Sequence, residues 1–95
     1  MLESFTLETF VPLVGETFRV RLPGGTLGLV LGEASGLPAR AQDRQPFSLL
    51  FREPGGTVIP QRSYPISHPE LGSFELFIVP LGPDPGGMRY EAVFG

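Results

Sequence analysis

The sequence predicts an all-β domain, a small antiparallel β-barrel or rolled sandwich of roughly six to seven strands with a short N-terminal helix. Its 95 residues have room for a single domain, residues 1–95. The 13 Gly and 11 Pro residues mark frequent chain reversals. Between the reversals, apolar and polar side chains alternate with a period of two, which is typical of strands with one buried face.

The first predicted element is a helix of one or two turns at about residues 7–14. Thr6 or Thr9 can cap its start, and Gly15 suits the position after its end. Pro12 would break a helix interior but is tolerated in a first turn. The helix is expected to cover one end of the core with three apolar side chains, Phe5, Phe10 and Leu13.

The first predicted hairpin begins at Thr17, where inward apolar residues alternate with outward polar ones. Residues 23–26, Pro-Gly-Gly-Thr, are expected to form a four-residue loop. That loop would bring apolar residues opposite one another in three pairs, namely Leu22 with Leu27, Val20 with Leu29, and Phe18 with Leu31.

The middle of the chain is less regular, since residues 33–46 show no clear periodicity and are expected to form a long loop. A strand then begins at Phe47, and its inward face continues through Leu49 and Phe51. Residues 54–57 are predicted to reverse the chain in a further hairpin. The strand after them is weak, because Pro60 restricts it to an edge or a bulge.

Two more hairpins are predicted in the C-terminal part. A turn over residues 69–72 would pair Ser67 with Ser73, which sets Ile66 against Phe74 and Tyr64 against Leu76. A symmetric loop over residues 81–87 would join the strand 73–80 to the last strand. Its expected pairs are Ile78 with Tyr90, Leu76 with Ala92, and Phe74 with Phe94.

Pro-Gly-Gly occurs three times at a spacing of 31 residues, at 23–25, 54–56 and 85–87. A true repeat would imply three similar hairpins around a pseudo-threefold axis. The flanking residues match poorly, which favours recurrent turn chemistry instead. Either way, each triplet is expected to frame a hairpin.

Composition excludes much chemistry. Cys and Lys are absent, so the chain has no disulfide, cysteine zinc site, thiol nucleophile or reactive lysine. The net charge of −3 argues against a nucleic-acid or anionic-membrane partner. No apolar stretch is long enough for a membrane span, and the N-terminus lacks a signal-peptide core. We expect a cytoplasmic protein without cofactor or metal.

Reactive side chains are few. His68 is the single histidine. One interpretation makes it a general base or a metal ligand, and the other makes it a turn residue whose ring hydrogen-bonds to the backbone. A catalytic reading would combine it with Tyr64, Tyr90 or Glu70. Asp84 could bind a cation but is more simply part of a turn stiffened by two prolines. The loop residues Arg40, Asp43 and Arg44 are either a ligand-binding group or ordinary surface charge.

The outward faces of the predicted strands carry apolar residues that a monomer would not be expected to expose together. Either the short helix or another chain should cover them, and the length of the helix favours another chain. Arg89 and two glutamates, Glu75 and Glu91, would rim the patch. The candidate partner-binding residues are Phe77, Val79, Val93, Val30, Leu50 and Arg89.

Several segments resemble a small bacterial family of domains of unknown function. They are FVPLVGETF at 10–18, PFSLLF at 46–51, HPELG at 68–72, ELFIVP at 75–80 and GGMRYEAVF at 86–94. Members of that family are free-standing chains of about this length, some in gene neighbourhoods of phage-tail-collar-like proteins. They usually end in Asn, where this chain has Gly95. The resemblance transfers no catalytic residue.

Two function hypotheses follow. The first is a non-enzymatic interaction or assembly module, associated with a tail-like assembly, that binds a protein partner or a second copy through its apolar outer face. The alternative is a small-ligand barrel or minor enzyme that uses His68, which requires a concave pocket. No catalytic residue is assigned.

Overall fold

The computed structural model describes residues 5–38 and 45–94, and they form a closed antiparallel barrel with strand order β1-β2-β3-β6-β5-β4. Helix α1 spans Leu7–Phe10 and continues as a 3-10 turn, Val11–Leu13. The strands are β1 (Thr17–Leu22), β2 (Gly25–Gly36), β3 (Phe47–Glu53), β4 (Arg62–His68), β5 (Gly72–Asp84) and β6 (Gly87–Phe94). The predicted fold class, six strands and a short helix, is confirmed.

Two three-stranded meanders, β1-β2-β3 and β4-β5-β6, make up the barrel and meet at two seams of unequal length. The β3–β6 seam is long, running from Phe47↔Phe94 to Glu53↔Met88. The β1–β4 seam contains only the pairs Arg19↔Ser67 and Val20↔Ile66. Residues 54–61, here called the crossover loop, carry the chain from one meander to the other.

Large apolar side chains fill the barrel interior, as the alternating pattern predicts. Phe18, Leu49, Leu76 and Phe94, one from each of four strands, are all buried. The helix closes one end of the barrel with Phe5, Phe10 and Leu13, which are buried as expected. Phe10 lies at the centre of this end. The centroid of its ring is 5.5 to 6.2 Å from the ring centroids of Phe5, Phe18, Phe47 and Phe94.

One predicted hairpin register is confirmed and two are wrong. Strands β4 and β5 pair Ser67 with Ser73, Ile66 with Phe74, and Tyr64 with Leu76, as predicted. In the first hairpin Phe18 faces Leu29 and Val20 faces Leu27, because the turn contains only Pro23 and Gly24. A shift by two residues keeps every side chain on its face, so alternation alone could not distinguish the two registers.

The last hairpin is also tighter than predicted. Strand β5 extends to Asp84, which pairs with Gly87, and the turn contains only Pro85 and Gly86. The tight turn alone would place Tyr90 opposite Leu81, and a bulge between Pro80 and Gly82 moves it by one residue to Pro80, which is still two residues from the predicted Ile78. The expected pairs Leu76–Ala92 and Phe74–Phe94 do not form, because the β5–β6 ladder ends at Val79↔Glu91 and its register differs by two residues from the predicted one.

The middle of the chain needs three corrections. Strand β2 continues to Gly36, so the predicted loop over 33–46 begins later than expected. Residues 54–56 start the crossover loop and do not frame a hairpin. No strand forms over 57–61, since β4 begins at Arg62. Because only the triplets at 23–25 and 85–87 form hairpin turns, the triplet spacing corresponds to no threefold repeat of hairpins.

Candidate functional site

The predicted partner-binding residues lie together on the outer face of β2, β3, β6 and β5, here called the outer strip. Its central row is Leu50–Glu91–Val79, joined by the pairs Leu50↔Glu91 and Val79↔Glu91. Two residues further along in one direction stand Phe77 and Val93, whose exposed fractions are 50% and 58%. In the opposite direction lie Arg52, Arg89 and Val30, which the pairs Arg52↔Arg89 and Val30↔Arg52 connect.

A charged cluster occupies the basic end of the outer strip. The Arg52 guanidinium donates to both carboxylate oxygens of Asp84, with Nη2–Oδ2 at 2.5 Å and Nε–Oδ1 at 3.3 Å. Arg89 Nε lies 3.9 Å from Asp84 Oδ2 and donates to the carbonyl oxygen of Gly82. The hydrogen bond from Arg52 is the main cause that lowers the pKa of Asp84. Asp84 therefore acts as a turn residue and a partner for arginine.

A small dent adjoins this cluster, where the pairing of β2 with β3 shifts between Leu31 and Glu33. Gly32 lies at this bulge, and Leu50 and Arg89 line the dent beside it. Its volume of about 110 Å³ is well below that of ordinary small-molecule pockets. The dent makes the surface of the outer strip uneven but is too small for an enclosed ligand site.

His68 is buried at the end of β4, where both ring nitrogens have partners. Nδ1 accepts a hydrogen bond from the backbone N–H of Glu70 at 3.1 Å. Nε2 therefore carries the proton and donates it to Glu16 Oε1 at 2.7 Å. The ring packs on Phe18 with 4.7 Å between centroids. His68 thus ties the end of β4 to the residue before β1 and closes one end of the short β1–β4 seam.

The two tyrosines considered as partners for His68 instead hold the crossover loop. The hydroxyl of Tyr90 donates to the carbonyl oxygen of Thr57 at 2.6 Å and accepts from the N–H of Ile59 at 2.9 Å. The hydroxyl of Tyr64 donates to the carbonyl oxygen of Pro60 at 2.5 Å. Burial is the main cause that raises the pKa of Tyr90. Both hydroxyls are therefore committed to backbone groups.

We expect Tyr90→Phe to destabilise the domain by about 1–3 kcal/mol, because it leaves the loop groups of Thr57 and Ile59 without their partner. Urea unfolding followed by circular dichroism measures this loss. The matched control is Phe51→Leu, which changes a buried aromatic ring that has no hydroxyl. It should lower the free energy of unfolding through lost packing alone and leave amide exchange at Ile59 slow. Fast exchange at Ile59 only in Tyr90→Phe supports the anchoring role, and unchanged exchange in that variant contradicts it.

A larger cleft, here called the seam cleft, lies on the outer face where β1 and β4 separate, and its volume is about 300 Å³. Arg19 and Arg21 of β1 line it, two residues apart on the same face. Three hydroxyl-bearing residues complete its polar lining, namely Thr26, Ser67 and Ser73. Sequence reasoning missed this site, although the outward arginines and the predicted Ser67–Ser73 pair were signals for it.

Arg40, Asp43 and Arg44 lie outside the described residues. Within residues 5–38 and 45–94, no group of three or more His, Cys, Asp or Glu side chains could hold a metal ion. No helix in the same ranges is long and apolar enough to cross a membrane. Neither of the two clefts is lined by His68, Tyr64, Tyr90 or Glu70.

Comparison with known protein families identifies a match over most of the chain. Residues 5–94 match a protein family described as a domain of unknown function, DUF6916. No curated protein and no solved structure matches the chain. The match covers nearly the whole sequence, as the resemblance noted in several of its segments implies.

Proposed function

The chain belongs to the DUF6916 family of domains of unknown function, and for this member we propose a non-enzymatic interaction module that docks through the outer strip. The supporting observation is the exposure of Phe77 and Val93, at 50% and 58%, on neighbouring strands of the barrel wall. Phe10 of the helix and Leu13 of its 3-10 turn are buried at one end of the barrel, so the helix does not cover the outer strip. Half-exposed apolar side chains on a rigid sheet are typical of protein interfaces.

We propose a second copy of this chain as the occupant of the outer strip. A twofold interface brings the same surface of both protomers together, so the surface must complement itself. The outer strip meets this requirement, since it carries an acidic residue, Glu91, beside basic residues, Arg52 and Arg89. In such an interface Phe77 and Val93 of the two copies can bury each other, with the charged residues of the outer strip beside them.

A self-associating module of this kind suits a structural role, and an assembly of the tail-like class is the setting we propose. Rigid barrels joined through fixed faces are suitable building blocks for such assemblies. The buried His68 and the committed hydroxyls of Tyr64 and Tyr90 are consistent with this role. The alternative, a ligand-binding barrel that uses His68, stays a prediction, and neither described cleft provides its pocket.

Solution mass tests the proposal. Light scattering coupled to size-exclusion chromatography should give twice the chain mass of 10.3 kDa at micromolar concentration. The variant Phe77→Ser/Val93→Ser should shift to the mass of one chain while keeping its circular dichroism spectrum. The shift is expected because the variant removes the two most exposed apolar side chains of the outer strip.

The matched control is Val58→Ser, which changes a 65% exposed apolar residue on the crossover loop. It should leave the mass of the dimer unchanged. A wild-type protein that stays monomeric up to high micromolar concentration would overturn the proposed occupant. Equal dissociation by Val58→Ser would overturn the assignment of the outer strip.

A further inference from the structure

We propose that the seam cleft binds a phosphoryl group, either free phosphate or the phosphate of a small organic ester. This inference is independent of the proposed dimer, because no residue that lines the seam cleft belongs to the outer strip. The cleft is about 300 Å³, the lower end of the range for small-molecule sites. That size fits a phosphoryl group with a few further atoms.

The cleft exists because the β1–β4 ladder stops early. Its last pair is Val20↔Ile66, and the next residue of β4 is Pro65, which has no backbone N–H to donate. Beyond that point the strands are no longer paired, and Pro65 lines the opening. At the other end of the seam, the hydrogen bond between His68 and Glu16 keeps the barrel closed. The opening is therefore a localised feature of a rigid wall.

The polar side chains of the cleft are unused by the protein itself. Arg19, Arg21, Thr26, Ser67 and Ser73 form no side-chain hydrogen bond or ion pair with any residue in the described ranges. The other described arginines are engaged, since Arg52 and Arg89 lie on Asp84 and Arg62 lies over the ring of Tyr64. Five unused polar groups, with no acid among the lining residues, thus converge on one opening.

The donor set favours a phosphoryl group over a carboxylate. Two guanidinium groups provide several N–H donors in planar forks, and the three hydroxyls can donate as well. One carboxylate, with two oxygens, would leave much of this set unpaired. A phosphate offers more acceptor oxygens and a charge close to −2, which matches the two arginines. Glu75, which pairs with Pro65 in the neighbouring strand, lies outside the lining.

Titration with inorganic phosphate, glycerol 3-phosphate and succinate at constant ionic strength tests the proposal. Amide NMR shifts of Arg19, Arg21 and Ser67 should change in a saturable manner with the two phosphates. Arg19→Gln and Arg21→Gln should each weaken binding at least roughly tenfold, because each removes a charged donor. Tighter binding of glycerol 3-phosphate would identify an ester as the source, and tighter binding of inorganic phosphate would identify the free ion.

Arg62→Gln is the matched control, since it removes the same charge from β4 at a position outside the cleft lining. It should bind phosphate as the wild type does. The proposal is overturned if no saturable shift occurs, if Arg62→Gln weakens binding as much as Arg19→Gln, or if succinate binds as tightly as phosphate. The circular dichroism of each variant shows that the fold is intact, since all three arginines are surface residues.

Discussion

Gly87→Ala is expected to destabilise the domain by at least about 3 kcal/mol, because backbone atoms occupy the space that its methyl group needs. A Cβ on Gly87 would overlap the carbonyl oxygen of Glu53 and lie 2.8 Å from Cα of Pro54. Neither atom can move without shifting the start of the crossover loop. Gly87 also has a φ of +129°, which L side chains rarely adopt.

The repeated triplets provide matched controls for this prediction. Gly25 and Gly56 are the last residues of the other Pro-Gly-Gly triplets and also have positive φ, +154° and +81°. A Cβ at either position would meet no atom within 4 Å. Gly25→Ala and Gly56→Ala should therefore cost only the backbone strain, about 1–2 kcal/mol. Urea unfolding of the three variants separates strain from overlap, and equal losses in all three would contradict the steric argument.

The same triplets show how far the sequence determines the fold. Alternation predicts which side chains face the core, and the buried residues of β1, β3, β4 and β6 agree with it. Pairing registers depend on turn length, and two-residue turns at Pro23-Gly24 and Pro85-Gly86 replaced the longer loops expected. The destination of the chain after 54–56 depends on which strand pairs with β3. Local patterns contain no information on that partner.

The outer strip and the seam cleft also differ in how far the sequence predicts them. The outer strip was predictable, because the alternation of side chains along a strand places Phe77, Val79 and Val93 on the outer face. The seam cleft depends on β1 lying beside β4, which are far apart in the chain. The bond between Glu16 and His68 spans 52 residues and has no local signal. Sequence reasoning therefore found the residues of one strand face but could not assemble residues from two distant strands.

Phe10→Ala is expected to cost about 3–5 kcal/mol, the range for removal of a fully buried aromatic ring. The ring of Phe10 has no exposed surface and lies among four other phenylalanine rings from the chain start, β1, β3 and β6. Alanine would leave a cavity where the helix closes the barrel. Since small domains have stabilities of about 5–15 kcal/mol, this loss should leave a protein that is marginally folded at room temperature.

A graded pair of variants makes the interpretation specific to the closed end of the barrel. Phe10→Leu keeps most of the apolar volume and should lose clearly less stability than Phe10→Ala. Val11→Ala changes the next residue, which is 50% exposed, and should change the unfolding free energy by less than about 0.5 kcal/mol. Urea unfolding midpoints measure the order. If Phe10→Ala unfolds near the wild-type midpoint, the helix is dispensable and the barrel core is stable without it. The expected order instead makes the helix an integral part of the core, because it supplies the ring on which four other rings pack.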